Sequence, residues 1–352
     1  MIDESVLDWF CLINSKGVGP KTFWAMLRAY KTAKESLKYV KDSFPRDEAK
    51  KILKSLKSEI ILANDELFPK ELKRSASCPP ILFYRGDISL LLKKKIAIVG
   101  ARNASINGMS IAHKLAKNLS PTFAIVSGLA KGIDTSAHKG SLENIEIKSA
   151  IAVLPFGIDE IYPKENIKLH EQIGQHGLLL SEVPPHRNGM DQGMFQARNR
   201  IIAMLSSGII VIEAALKSGT MATAKLALDI GCEVMAVPGS PIDPRSAGCN
   251  LLIKNGATLI ENHIDVLENL GSPESNEQLV FQDSIAPQGY DCQDKKSQVL
   301  AVLSSEPIPI DLISKYTNIS MQDLLVIISD LEISEKIIKY STNEIALIEP
   351  IK

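Results

Sequence analysis

Apolar positions change their spacing as the chain proceeds, and each change predicts a different kind of structure. Val6, Leu7, Phe10 and Ile13 recur at helical intervals, the turn Lys16-Gly17-Val18-Gly19-Pro20 follows, and Thr22 to Tyr30 predicts a second helix. Up to about residue 75 the pattern reads as helical. From Lys95 to Ile260 it becomes short apolar runs separated by helical stretches: 96–99, 123–126, 151–154, 178–180, 209–212, 233–237 and 257–260. Successive runs start roughly 25 to 30 residues apart, the repeat of a βαβ unit. Ile96-Ala97-Ile98-Val99 and Ile209-Ile210-Val211-Ile212 show no alternation of apolar and polar positions, as expected of parallel strands buried on both faces. The expected fold is α/β, a Rossmann-like, doubly wound and mostly parallel sheet.

Beyond it, residues 271–294 are polar and carry Pro273, Pro287 and Gly289, the composition of a linker. Helices are predicted near 295–304 and 310–316, and a third is opened by Ser320 with Met321, Leu324, Leu325 and Ile328 assigned to one face. Lys336 to Tyr340 and Glu344 to Ile348 flank Ser341-Thr342-Asn343, a hairpin signal. Three helices and a hairpin make a winged-helix module. The expected organisation is a small helical module at 1–75, a Rossmann-like domain at 76–270, a linker at 271–294 and a winged helix at 295–352.

Charge refines this division. The 352 residues carry 40 Lys and Arg against 41 Asp and Glu, so the chain is no polycation held on nucleic acid by bulk charge. Residues 1–95 nevertheless carry +7, 96–272 carry −1 and 273–352 carry −7. The basic and acidic ends are expected to meet different partners. No apolar run reaches the length of a membrane helix, and the acidic stretch Met1 to Phe10 is no signal peptide, which leads to the expectation of a cytoplasmic protein. The five cysteines are scattered without a C-x-x-C pair and read as small buried apolar residues, so neither a metal nor a cofactor is expected.

In an open parallel sheet ligands bind at loops leaving the carboxyl ends of the strands. After the first run comes Gly100-Ala101-Arg102-Asn103-Ala104-Ser105, where Gly100 permits close approach, a helix start offers N–H groups, and Arg102, Asn103 and Ser105 add polar groups for an anion. It is neither G-x-G-x-x-G nor a Walker loop. After the second run Gly128, Lys131 and Gly132 again suit an anion. Asp134 there is either a helix cap or a ligand, and His138 lies one turn on without a third metal ligand. Phe195 precedes Arg198-Asn199-Arg200, a stacking face beside phosphate ligands, but the two arginines point about 200° apart on a helix, which leaves open which of them faces a ligand. Ser218-Gly219-Thr220 opens another helix, as an anion site or as a simple cap. Gly-Val-Gly-Pro near the N-terminus has the form of a helix-hairpin-helix, which can hold a DNA phosphate, or of a plain helical hairpin. Glu213 is a candidate general base if the chain is instead a nucleotide-binding hydrolase or phosphoribohydrolase.

Taken in order, these loops resemble the DNA processing protein A (DprA, Smf) family. The residues that carry the resemblance are 99–105, 127–134, Phe156-Gly157-Ile158-Asp159-Glu160-Ile161-Tyr162-Pro163, 198–203 and Ala236-Val237-Pro238-Gly239. It covers about residues 80–270. It implies a non-catalytic protein of natural transformation that binds and shields single-stranded DNA, acts as a homodimer and loads the recombinase RecA. It also implies that Arg102, with Gly100 and Ser105, holds phosphate and that Phe195 lies by a base. The chain departs from the family at Ala101, where serine is frequent, and at His186, where glycine is frequent.

Overall fold

The structure is a computed structural model that describes residues 2–184, 192–271, 295–303, 307–334, 336–341 and 343–348. At the N-terminus, α1 (Glu4–Asn14), α2 (Pro20–Tyr30), α3 (Ala33–Leu37) and α4 (Arg46–Ser55) pack around Leu7, Phe10, Leu12 and Phe23, all fully buried. Asp3 caps α1 by accepting the Ser5 N–H at 2.7 Å, and Pro20 at the first helical position of α2 needs no hydrogen bond there. The helical reading of this segment ends too late. β1 (Glu59–Leu62) lies within it and, after the short α5 (Lys70–Lys73), pairs antiparallel with β2 (Ile81–Gly86). Four residues are too few for a period to declare itself, so only the pairing reveals β1.

The parallel part follows as β3 (Lys95–Gly100), α6 (Ile106–Leu119), β4 (Ala124–Ser127), α7 (Ile133–Ser141), β5 (Ala150–Val153), α8 (Ile167–His176) and β6 (Leu178–Ser181). It continues as α9 (Gln192–Leu205), β7 (Gly208–Ile212), α10 (Gly219–Asp229), β8 (Glu233–Ala236), α11 (Ala247–Lys254), β9 (Thr258–Leu259) and α12 (His263–Asn269). Together with β1 and β2 these strands form a nine-stranded sheet in the order β1-β2-β6-β5-β4-β3-β7-β8-β9, antiparallel at β1–β2 and β2–β6 and parallel elsewhere. All seven predicted runs are strands of this sheet. Ile96 and Ile98 of β3 pack with Ile106, Met109 and Ala112 of α6 on one face, while Ala97 and Val99 join Ile201 and Ile202 of α9 in the core of the other. Burial on both faces is why the run carries no alternation.

The chain leaves β3 for β4 on one side and later returns to place β7 on the other. That reversal opens a crevice at the carboxyl ends of β3 and β7, the position where doubly wound sheets bind ligands.

The C-terminal part comprises α13 (Lys295–Val302), β10 (Ile308–Pro309), α14 (Ile310–Thr317), α15 (Met321–Ile333), β11 (Ile337–Ser341) and β12 (Glu344–Leu347). The last two pair antiparallel as anticipated, and β10 adds a third strand with no sequence signal of its own. Ser320 caps α15 by accepting the Asp323 N–H at 3.2 Å. Its buried face is Leu324, Ile328 and Leu331. Leu325, assigned to that face from the sequence, is 48% exposed, because one residue turns the helix by about 100°. Of the linker expected at 271–294, residues 272–294, Cys292 among them, lie outside the described residues, as does the turn residue Thr342. Leu303 of this part accepts a hydrogen bond from Arg245 Nη2 at 2.7 Å, and Leu300, Leu303 and Leu347 form one wall of the crevice. Among the described residues no helix is long and apolar enough to cross a membrane.

Candidate nucleic-acid interface

The crevice has a volume of about 880 Å³ and brings together four separate loops. Its floor is the turn after β3. A Cβ at Gly100 would lie 1.9 Å from the Ile212 carbonyl oxygen and 2.5 Å from Ile133 Cγ1, so only glycine lets β3 and β7 close beneath the turn. Arg102 and Asn103 follow, both exposed. Ser105 does not join them. It is buried as the cap of α6, where its hydroxyl accepts the Gly108 N–H at 3.0 Å and donates to Glu213 Oε1, while its own N–H donates to Glu213 Oε2 at 2.8 Å. The hydroxyl read as a phosphate ligand is therefore engaged in anchoring the loop.

Glu213, the candidate general base, is explained by the same contact. It sits at the end of β7 with φ +52°, and burial pushes its carboxyl above the ordinary glutamate value against the pull of the two Ser105 bonds. It faces a separate cavity of about 50 Å³, not the crevice.

The loop after β4 is held from below by buried charge. Asp134 accepts the N–H groups of Gly128 at 3.1 Å and Ala130 at 3.3 Å, so it organises the loop and does not cap α7, whose first turn has no side-chain cap. Arg198 is the other support. Only 5% exposed, it donates from Nη1 to the carbonyls of Gly128 and, at 2.7 Å, Val153, and from Nε to Asn199 Oδ1 at 3.1 Å. Burial lowers its guanidinium to about 10 and raises the Asp134 carboxyl, each opposed by the attraction between the two. Gly132, at φ +75°, turns the loop back under Ala101 and Arg102. Lys131 remains at the surface, paired with Glu165 at 2.6 Å.

Which arginine of Arg198-Asn199-Arg200 faces the crevice is settled by these contacts. Arg198 reaches it from beneath and is spent on backbone carbonyls, and Arg200 pairs with Glu182. Asn199 lines the crevice while accepting from Arg198. Neither arginine is an open phosphate ligand, whereas the motif, which offered both as candidates, left open which of the two faces a ligand. The exposed cation is Arg102, whose guanidinium carbon lies 4.9 Å from the centre of the half-buried Phe195 ring. Phe195 is wedged at 5.4 Å against Phe156 and at 5.9 Å against Tyr162.

Opposite them stands α10. Ser218 caps it by accepting the Met221 N–H at 3.2 Å, Thr220 donates to the Gly100 carbonyl at 2.9 Å, and Gly219 is exposed between them. The two hydroxyls thus serve the fold, and what α10 presents to the crevice is the N-terminus itself, where free N–H groups favour an anion. Tyr162 and the Asp243–Arg245 pair, 3.1 Å apart, also line the crevice and were not singled out from the sequence. Tyr162 stands in a quoted motif, and only its packing against Phe195 gives it significance; Arg245 has no local signal. Gly128 and Lys131 line a small adjoining pocket with Tyr162, Phe195 and Arg102. Among the described residues no group of His, Cys, Asp and Glu could hold a metal ion.

His138, fully buried beneath this site, has a measurable consequence. Burial, reinforced by the Arg198 charge, lowers its imidazole from 6.5 to about 3. The unfolded chain takes up the proton near pH 6.5 and the folded one does not, so stability present above that pH is lost as the pH falls toward 3. At pH 4.5 this amounts to about 2–3 kcal/mol. Asp134 acts with the opposite sign, since its raised value lets the folded state bind a proton first. Urea unfolding at pH 7.0 and 4.5 isolates the histidine: the stability lost between them is expected to shrink by that amount in His138→Gln, and an unchanged difference refutes the assignment.

Comparison with known proteins bears on all of this. A family model described as DNA recombination-mediator protein A matches residues 59–271, and one described as the DprA-like N-terminal HHH domain matches 3–53. The chain is 43% identical over 203 residues to the DNA processing protein DprA of Streptococcus pneumoniae, covering 58% of this chain and 71% of that one. It is 33% identical over 302 residues to Protein Smf of Escherichia coli, covering 83% and 79%. The X-ray structure of the Streptococcus pneumoniae protein superposes with a TM-score of 0.65 at 32% identity, over 76% of this chain and 98% of that one. DNA processing protein A from Helicobacter pylori, studied for its single-stranded DNA binding mode, gives 0.55 at 31% identity over 61% and 96%. Because the longer of the two family matches spans the whole sheet and every loop of the crevice, and the other takes in the helices before it, the chain belongs to the DNA recombination-mediator protein A family, the DprA and Smf proteins.

Proposed function

We propose that the crevice holds single-stranded DNA and that the protein is a non-catalytic carrier of such strands in natural transformation, passing them to the recombinase RecA as a homodimer. The observation that carries this reading is Arg102 lying on the face of Phe195 across from the N-terminus of α10. A phosphate is attracted by the guanidinium and the helix N–H groups, while a base finds a planar partner in the guanidinium or, once it moves aside, the phenyl ring. The single-stranded DNA binding mode described for the Helicobacter pylori relative supports the substrate class. The nucleotide-hydrolase alternative is less well supported, since its base, Glu213, is held on both oxygens by Ser105 away from the crevice. In this reading the part before β2 and the winged-helix part flank a central binding domain, and the acidic C-terminal part serves protein contact.

Binding is expected to weaken steeply with salt, and Arg102→Ala to lower affinity for single-stranded oligonucleotides by about 1–3 kcal/mol with a shallower salt slope. Titration by fluorescence anisotropy at several salt concentrations checks it, and unchanged affinity removes the site assignment. The loading step is tested separately, by whether the protein speeds RecA filament assembly on single strands. No acceleration would overturn loading and leave binding intact.

A further inference from the structure

Aromatic rings in the N-terminal helices are packed inward with one exception. Trp9, Phe23 and Trp24 meet one another at 5.0 to 5.8 Å in the core. Tyr30, at the end of α2, and Tyr39, just past α3, instead stack with ring centres 4.0 Å apart and planes 11° from parallel. Tyr39 is 64% exposed, so one broad face of the stacked pair is open to solvent. The chain reverses between them at Lys31, which adopts φ +68°. Charge is concentrated in the same connection. From Arg28 to Lys41 there are five basic residues and one acidic residue, Glu35. Lys38 pairs with Glu35 at 2.8 Å, whereas Arg28, Lys31, Lys34 and Lys41 are exposed with no ion pair among the described residues.

We propose that the Tyr30–Tyr39 stack and the cations around it form a second contact for single-stranded DNA, outside the crevice. The proposal rests on the reading of the protein as a single-strand binder. A planar ring already stacked on one side is ordered before a base arrives, so adding a base as a third layer costs little side-chain entropy. Neighbouring lysines and Arg28 meet the phosphates on either side of that base. A protein partner would not need four unpaired cations around one open ring, whereas a strand carries one phosphate for every base it stacks. The basic sign of residues 1–95 then has a physical use, which residues 96–272 with their charge of −1 do not supply.

The test uses the full chain and a single-stranded oligonucleotide carrying 5-iodouracil, cross-linked by light and mapped by peptide mass. Cross-links are expected in the peptide holding Tyr39 as well as in crevice peptides. Tyr39→Ala should abolish the first set and spare the second, while Tyr39→Trp restores it. In an Arg102→Ala background, Tyr39→Ala should further weaken the remaining affinity about tenfold. Cross-links confined to crevice peptides would overturn this site alone and leave the proposed function standing. The absence of cross-links anywhere, with no measurable binding, would overturn both. Because Tyr39 is at the surface, these variants are expected to fold, and circular dichroism with urea unfolding verifies that they do.

Discussion

Arg198→Ala is expected to destabilise the protein by about 3–5 kcal/mol, because it removes the nearby charge that offsets buried Asp134 and takes the donor from two buried carbonyls. Asp134 would be left in the interior with only the N–H groups of Gly128 and Ala130 and the Ser127 hydroxyl as partners, and the carbonyls of Gly128 and Val153 would lose their donor. Arg198→Lys keeps the charge but offers a single ammonium where a forked guanidinium spans two carbonyls, so it should recover only part of the loss. Urea unfolding of the three proteins measures this. A side chain that contacted DNA directly would show the reverse pattern, weakened binding with stability preserved. A loss below about 1 kcal/mol would therefore return Arg198 to the list of DNA ligands.

Gly132→Ala should be comparably severe, about 3–5 kcal/mol, for two reasons that add. The residue is held at φ +75° and ψ −122°, a region essentially confined to glycine, which costs an alanine about 1–3 kcal/mol. Its Cβ would also lie 2.3 Å from the Ala101 carbonyl oxygen and 2.7 Å from that of Arg102, and relieving backbone overlap of this kind costs about as much again. The displaced atoms belong to the turn that presents Arg102. Single-stranded DNA affinity is accordingly expected to fall in whatever fraction of the variant stays folded, measured by anisotropy at low temperature. An alanine variant with native stability and native affinity would mean that this turn adapts freely, and the rigid presentation of Arg102 would have to be abandoned.

These two residues mark how far the sequence could be read. Gly132 stands in a loop picked out for anion binding, and its glycine is required there, but the reason is a close approach to Ala101 and Arg102 thirty residues earlier. Arg198 was legible as one of a pair pointing in different directions, and the helical period correctly excluded a shared target. It could not say that neither arginine faces open solvent. Ser105 was likewise a sound candidate from its position at a helix start. Its hydroxyl is consumed by Glu213, 108 residues away in sequence, and no local pattern encodes that.

What the sequence determined by itself is the layout. The unbroken apolar runs at helical-unit spacing specify a parallel sheet buried on both faces, because burial of such runs has few other solutions, and the loops between them specify which residue types gather at one edge. Only the tertiary structure decided which of those side chains are available. A polar group buried without a partner is costly, so packing assigns most of the charged and hydroxyl groups of these loops to one another and leaves Arg102, lying on the half-buried Phe195 ring, as the exposed cation of the crevice.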